Sequence, residues 1–401
     1  MTATSANPLQ NQKKTQTCHI CGNTNLELFE RYSHFHRVTS DCKPWTDGGK
    51  LALCHSCGCV QKLIDSLWQS EAEQIYKGYS IYYQSDGLEQ AVFEQESGIP
   101  SSRSSKLLNC INPIIKLSKT GKLLDIGCGN GALLWQYYQR YPDWILYGTE
   151  LNDKYKNKVE SIPQVHSLYV CSQPDNIQET FNCITMVHVL EHILNPGDFI
   201  RKIHSRLDDD GILVIQGPVF VKNPYDLLIV DHCTHFSKST LCALLQKSGF
   251  EVIYSSTTCI TKELTVVAMK RNDKIQETLL PDITKASDTV IRCIDWLDSN
   301  IRDSIAHAKN GHFGIFGTSI AATWLFGELS GEVQFFVDED PNRIGKMHLG
   351  CPVYHPNNIP KNSFVFIPFC PNQAHQIGKR IANNRNNIKL IISSKTEKGF
   401  I

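Results

Sequence analysis

The chain has 401 residues, 41% of them hydrophobic, which is enough for two or three packed domains. Lys plus Arg and Asp plus Glu both total 40, so the formal net charge is zero. That balance argues against a nucleic-acid binder and against docking on an anionic membrane. No apolar run approaches a membrane span, and the polar stretch Met1 to Thr17 does not read as a signal peptide.

Cysteines dominate the amino-terminal region. Sixteen in a chain without an export signal imply a reducing, cytoplasmic setting with thiols rather than disulfides. Cys18-His-Ile-Cys21 and Cys54-His-Ser-Cys57 form two C-x-x-C knuckles, each followed by a glycine, Gly22 and Gly58. The paired spacing fits a four-thiolate zinc site; unpaired thiols are the alternative, and His19, Cys42 and Cys59 lie close enough to confuse the ligand set. A module of under about 80 residues gains little from core burial alone, whereas zinc supplies roughly 10–16 kcal/mol in comparable modules. Four protein ligands leave no open position, so this zinc is structural. The module is expected over residues 1–70.

A tyrosine-rich stretch from Tyr76 to Ser85 follows, then a helix over 101–117. Lys122-Leu-Leu-Asp125-Ile-Gly127-Cys128-Gly129-Asn-Gly131 reads as a buried strand ending in an acid and a glycine turn that opens a helix. Glu150 closes the next strand, and an acid at this distance can hold ribose hydroxyls. The glycine spacing is not the G-x-G-x-x-G that cradles a pyrophosphate, which suits S-adenosylmethionine (SAM), a cofactor without phosphate. A plain strand-to-helix turn is the alternative. Asp125, Gly127, Cys128, Gly129, Glu150 and His188 are the expected cofactor residues.

Strands are expected at Lys122–Ile126, Ile145–Thr149, His166–Val170, Cys183–Val187, Ile212–Gln216, Glu251–Ser256 and Leu264–Lys270. Seven strands alternating with helices, the last two forming a hairpin, match a class I SAM methyltransferase Rossmann-like sheet in an α/β protein. Ligands sit at the carboxyl ends of such strands. One loop there, Met186 to His192, carries His188 and His192, which serve either the cofactor or merely a helix start. Another runs from Gly217 to Phe236 and carries Asp231, His232 and His235, and a loop of this length is usually functional. Asn223-Pro-Tyr225 follows the fifth strand rather than the fourth, so it reads as turn chemistry and not as an amino-group methyltransferase motif.

The methyltransferase domain is expected over 71–272, a linker over 271–286, and a carboxy-terminal Rossmann-like α/β domain over 287–401. In the last, Ser287 caps a helix that ends at Asn310-Gly311. His312 to Ser319 is a strand entering a glycine turn, and Val333–Val337 a strand ending in Asp338-Glu339-Asp340. The turn is either ligand-free or offers N–H groups of Gly317, Thr318 and Ser319 to a phosphate.

The two knuckles, the SAM fold and an Asp-His-x-x-x-Phe-Ser loop together resemble the three-domain, zinc-containing sugar C-methyltransferases, over nearly the whole chain. The resemblance implies methylation of carbon 3 in a nucleotide-linked 4-keto-6-deoxy sugar. It implies a histidine base at His232, the fallback being His235, an acid at Asp231, and a tyrosine among Tyr79, Tyr82 and Tyr83, with Tyr83 assigned. Where the family's pattern begins with a tyrosine, this chain has Ile229. The chemistry agrees: a carbon beside a ketone must lose a proton before it becomes a nucleophile, and neutral imidazole suits that task. The expected protein is a monomer or homodimer that acts on a small nucleotide sugar, with no nucleic-acid or membrane partner. Rival readings are an O- or N-methyltransferase of a small metabolite, an RNA methyltransferase with a zinc module, and a SAM-binding scaffold without turnover.

Overall fold

The computed structural model describes residues 16–79, 89, 91–93, 100–272, 282–329, 331–382 and 388–393. Near the amino terminus, β1 (Leu26–Leu28), β2 (Leu51–Cys54) and β3 (Val60–Lys62) form an antiparallel sheet. Helix α1 (Ser66–Lys77) follows, started by Asp65, whose carboxylate takes the Trp68 N–H at 3.0 Å.

The central sheet begins after α2 (Arg103–Ile111), which stops two residues before Pro113, short of the expected span to 117. Its strands are β4 (Lys122–Ile126), β5 (Ile145–Glu150), β6 (Val165–Val170), β7 (Phe181–Val187), β8 (Leu207–Pro218), β10 (Phe250–Ser256) and β11 (Glu263–Lys270). All seven expected strands are present, most longer by a residue or more. Helix α3 (Ala132–Arg140) leads back from β4 to β5. The order is β6-β5-β4-β7-β8-β11-β10, parallel except for β11. The order reverses between β4 and β7, which opens a crevice at their carboxyl ends. Residues 123–126 and 183–186 are buried on both faces, as parallel strands covered by helices must be.

The segment from Gly217 to Phe236 is structured. A short 3₁₀ turn, Pro224–Leu228, begins at Asn223, in keeping with turn chemistry there. Strand β9 (Thr234–His235) then adds to the amino-terminal sheet, with Thr234 opposite Gln61 and His235 opposite Val60. Val38 and Ile229 add a further bridge.

Helix α4 (Ile283–Ala308) starts five residues earlier than expected. Asp282 is the cap, and an aspartate serves there as well as serine, while the Ser287 hydroxyl donates to Glu27 at 3.0 Å. A second parallel sheet follows: β12 (His312–Phe316), β13 (Phe335–Val337), β15 (Cys351–Tyr354), β16 (Ser363–Phe366) and β17 (Ile388–Ile391), edged by antiparallel β14 (Met347–His348). Helix α5 (Ile320–Glu328) follows β12. One core joins the parts: Tyr225 packs on Trp296 at 5.1 Å and on Trp324 at 5.5 Å, and Phe35 meets Trp324 at 6.3 Å.

One pair of cysteines departs from the expectation of free thiols. Cys110 of α2 and Cys259 of the β10–β11 turn are bonded, because the fold brings these distant segments to a Cα separation of 5.8 Å. Among the described residues no helix is long and apolar enough to cross a membrane.

Candidate active site

β4 delivers Asp125 into the turn Gly127 to Gly131. Gly127, Gly129 and Gly131 all have positive φ, at 65°, 57° and 84°. Side chains are also excluded by space: a Cβ on Gly127 would stand 2.6 Å from Val189 Cγ2, and one on Gly131 2.5 Å from Ile162 Cδ1. Asp125 is buried and accepts the Thr185 hydroxyl at 2.6 Å. Burial pushes its carboxyl up to about 7, against the pull of Thr185. Glu150 accepts the N–H of Gly129 at 2.6 Å and of Leu151 at 3.2 Å, and burial raises its pKa too. Cys128 donates its N–H to Thr149 at 3.0 Å, and its sulfur fills the space above Gly148.

His188 has φ 55° at the end of β7. Its Nδ1 lies 3.3 Å from Glu191, and its Nε2 lies 3.3 Å from Glu263 and 2.6 Å from the Arg103 guanidinium. Burial disfavours its charge, but Glu263 and Glu191 outweigh burial and lift it to about 9. Arg103 also pairs with Glu263 at 3.0 Å, so the floor of the site is a compact set of matched charges.

His232 is buried, and its Nδ1 lies 2.7 Å from Asp226 Oδ1. The other oxygen of Asp226 holds His235 Nδ1 at 2.7 Å. Burial alone would raise the Asp226 carboxyl; the two imidazoles reverse that and hold it well below the carboxylate range. Burial alone would lower His232; the bond to Asp226 raises it above the ordinary value. Burial drops His235 to about 4 despite the same acid. The acid that orients His232 is therefore Asp226. The Asp231 carboxylate instead accepts the Ser40 N–H at 2.9 Å and the Ser40 hydroxyl at 2.5 Å, and lies 3.4 Å from His192 Nδ1. It is fully buried and does not line the cleft. Asp226 does carry a sequence signal: it is the single charge in the apolar run Tyr225 to Val230.

His192 stands edge-on to His232 with ring centres 4.6 Å apart, its Nδ1 3.0 Å from the Asp231 carbonyl and 3.1 Å from the Tyr76 hydroxyl. Tyr76 is thus a tyrosine after the cysteine module that reaches the histidines. Tyr82 and Tyr83 lie outside the described residues.

A single cleft of about 1240 Å³ takes in Asp125, Gly127, Cys128, Gly129, Glu150, His188, His192, His232 and Tyr76. It also takes in Gly317, Thr318 and Ser319 of the carboxy-terminal part. There Gly317 has φ 90°, and the Thr318 hydroxyl donates to Asp338 at 2.7 Å while accepting from Arg343 at 3.0 Å. The Lys262 ammonium sits 4.1 Å above the Phe369 ring on the same wall.

The sulfurs of Cys18, Cys21, Cys54 and Cys57 lie within 4.8 Å of one another, with the pairs Cys18–Cys57 and Cys21–Cys54 at 3.5 Å. Tetrahedral zinc with bonds of ~2.3 Å would set sulfurs ~3.8 Å apart, so the group fits that ion. Ile20 and Ser56 each point an N–H at a sulfur, both at 3.4 Å. Cys59 faces Gln61, and His19 lies 2.8 Å from the Thr234 hydroxyl, so neither joins the four.

Residues 102–255 match the family model described as a methyltransferase domain. The chain is 24% identical over 105 residues to a carboxy-S-adenosyl-L-methionine synthase of Campylobacter hominis, covering 25% of this chain and 45% of that protein. It is 28% identical over 120 residues to a ubiquinone biosynthesis O-methyltransferase of Glaesserella parasuis, covering 27% and 50%. The chain thus spans about half the length of the curated relatives it matches. Human N-acetylserotonin methyltransferase, solved with SAM, superposes with a TM-score of 0.34 at 13% identity, over 42% of this chain and 52% of that one. Residues 102–255 are thus a methyltransferase domain by the family match, built on a seven-stranded sheet in the class I Rossmann-like order with the glycine turn at its switch point.

Proposed function

We propose that the protein methylates a carbon beside a ketone, at carbon 3 of a nucleotide-linked 4-keto-deoxy sugar, with His232 as general base. The observation that carries this reading is the buried Asp226–His232 pair opening on the same cleft as the glycine turn. When bound, SAM supplies an electrophilic methyl on its sulfonium. Glu150 and the turn Gly127 to Gly131 hold the nucleoside end, and the charged floor around His188 lies beside it. Asp226 fixes the His232 tautomer with the proton on Nδ1, which leaves Nε2 to take the C–H proton. Such a base contributes ~10²–10⁴-fold. The Tyr76 hydroxyl is a donor for the enolate oxygen. Thr318 and Ser319, at the start of α5, offer N–H groups to a substrate phosphate, while the Gly317 N–H is already given to the Val337 carbonyl at 2.6 Å. The four cysteines hold a structural zinc, closed to ligands.

O-methylation is a second reading, favoured by the likeness to the Glaesserella parasuis O-methyltransferase. Deuterium exchange beside the ketone of a 4-keto-6-deoxy nucleotide sugar separates the two. Exchange by the native protein, lost in His232→Ala, is expected. Methyl transfer to oxygen without any exchange would remove the carbon-acid reading.

A further inference from the structure

Lys62 is a buried cation close to the His232 segment that the chemistry above leaves without a task. It ends β3 and is 2% exposed. Its ammonium donates to the carbonyls of Leu227 at 2.5 Å and Ile229 at 3.2 Å, and to the Tyr32 hydroxyl at 2.6 Å. Tyr32 passes its own proton to the same Leu227 carbonyl at 2.9 Å. The main-chain N–H of Lys62 meanwhile donates to the Cys233 carbonyl at 2.9 Å. One residue therefore grips the chain on both sides of His232, and on the near side it starts at the residue after Asp226. Trp68 adds a bond to the Val230 carbonyl at 2.8 Å.

A methionine would fill the same space without the cost of burying an ammonium. What the ammonium adds is direction. Its three protons meet three acceptors, so the segment from Leu227 to Ile229 has one orientation relative to the cysteine-rich sheet. Charges from every side surround it: Arg37, Glu71, Asp226 and Asp231, with Tyr32 against it and His235 nearby.

We propose that Lys62 is the positioning residue of the His232–Asp226 pair, clamping the main chain at Leu227, Ile229 and Cys233 so that the imidazole keeps its bond to Asp226 and its aim into the cleft. The catalytic consequence rests on the reading of His232 as base. The geometric claim does not.

The test uses the full chain. In the native protein the Nδ1 proton of His232 gives a downfield NMR signal, identified by its loss in His232→Ala. Lys62→Met should speed solvent exchange of that proton at least tenfold and slow substrate deuterium exchange at least tenfold, with SAM affinity unchanged within twofold. A merely structural role would lower the melting temperature and leave the His232 proton untouched. Exchange of that proton within twofold of native overturns the proposal. If Lys62→Met does not fold, Tyr32→Phe decides, since it removes one donor from Leu227 and one partner from Lys62 at nearly constant volume. It should speed the proton's exchange two- to tenfold, and no change again overturns the claim. If the native protein shows no deuterium exchange, the base reading fails, and the imidazole proton still judges Lys62.

Discussion

On the proposed reading His232 takes a proton only while neutral, and Asp226 delays that state. Because the bond to Asp226 raises its pKa, the rate of proton abstraction should climb with pH through a value above the ordinary ~6.5. Asp226→Asn should move that acid limb back down and lower the plateau by roughly 10–100-fold, as loss of an orienting acid does in comparable sites. Deuterium exchange measured across pH checks both. Asp125 runs the opposite way. With its folded pKa near 7 and an unfolded value near 3.9, the stabilising neutral form is lost as pH rises through 7. Asp125→Asn should therefore stabilise the fold by at most ~1.5 kcal/mol at pH 5 and ~4 kcal/mol at pH 8. Denaturant melts at the two pH values test the sign.

The cysteine cluster and the segment just past His232 share a sheet. β3 pairs with β9, two residues past His232, so metal loss should not stay local. Stripping with a chelator is expected to release one zinc per chain, lower the melting temperature, and abolish deuterium exchange while SAM still binds. Retained exchange after complete removal would contradict this. The parts legible from sequence were those with short-range signatures: two knuckles, a glycine turn, seven apolar strands and the acid ending β5. Asp226 escaped because its partners come from the turn of the chain at residues 232 and 235, and a lone buried acid announces need without naming a partner. Adjacency in sequence sets the side chains of Asp231 and His232 on diverging paths, so the acid paired with His232 had to come from elsewhere in the chain. β9 was illegible because two residues carry no periodicity.

At the scale of the molecule, the proposed reading has cofactor and substrate met by different parts of one cleft. Gly317→Val forces a β-branched residue to φ 90° beside Phe369 and should raise the substrate KM at least tenfold, with SAM affinity unchanged. Calorimetry with each ligand separates the effects. The edge strand β9 has a consequence for biosynthesis. A ribosome that has just released residue 70 has made every cysteine of the cluster, yet the sheet around them still lacks its fourth strand. That strand emerges only once the Rossmann-like sheet is five strands built. The module can therefore be loaded early but sealed late, and the nascent chain must carry an open, hydrogen-bond-hungry edge until residue 235 arrives.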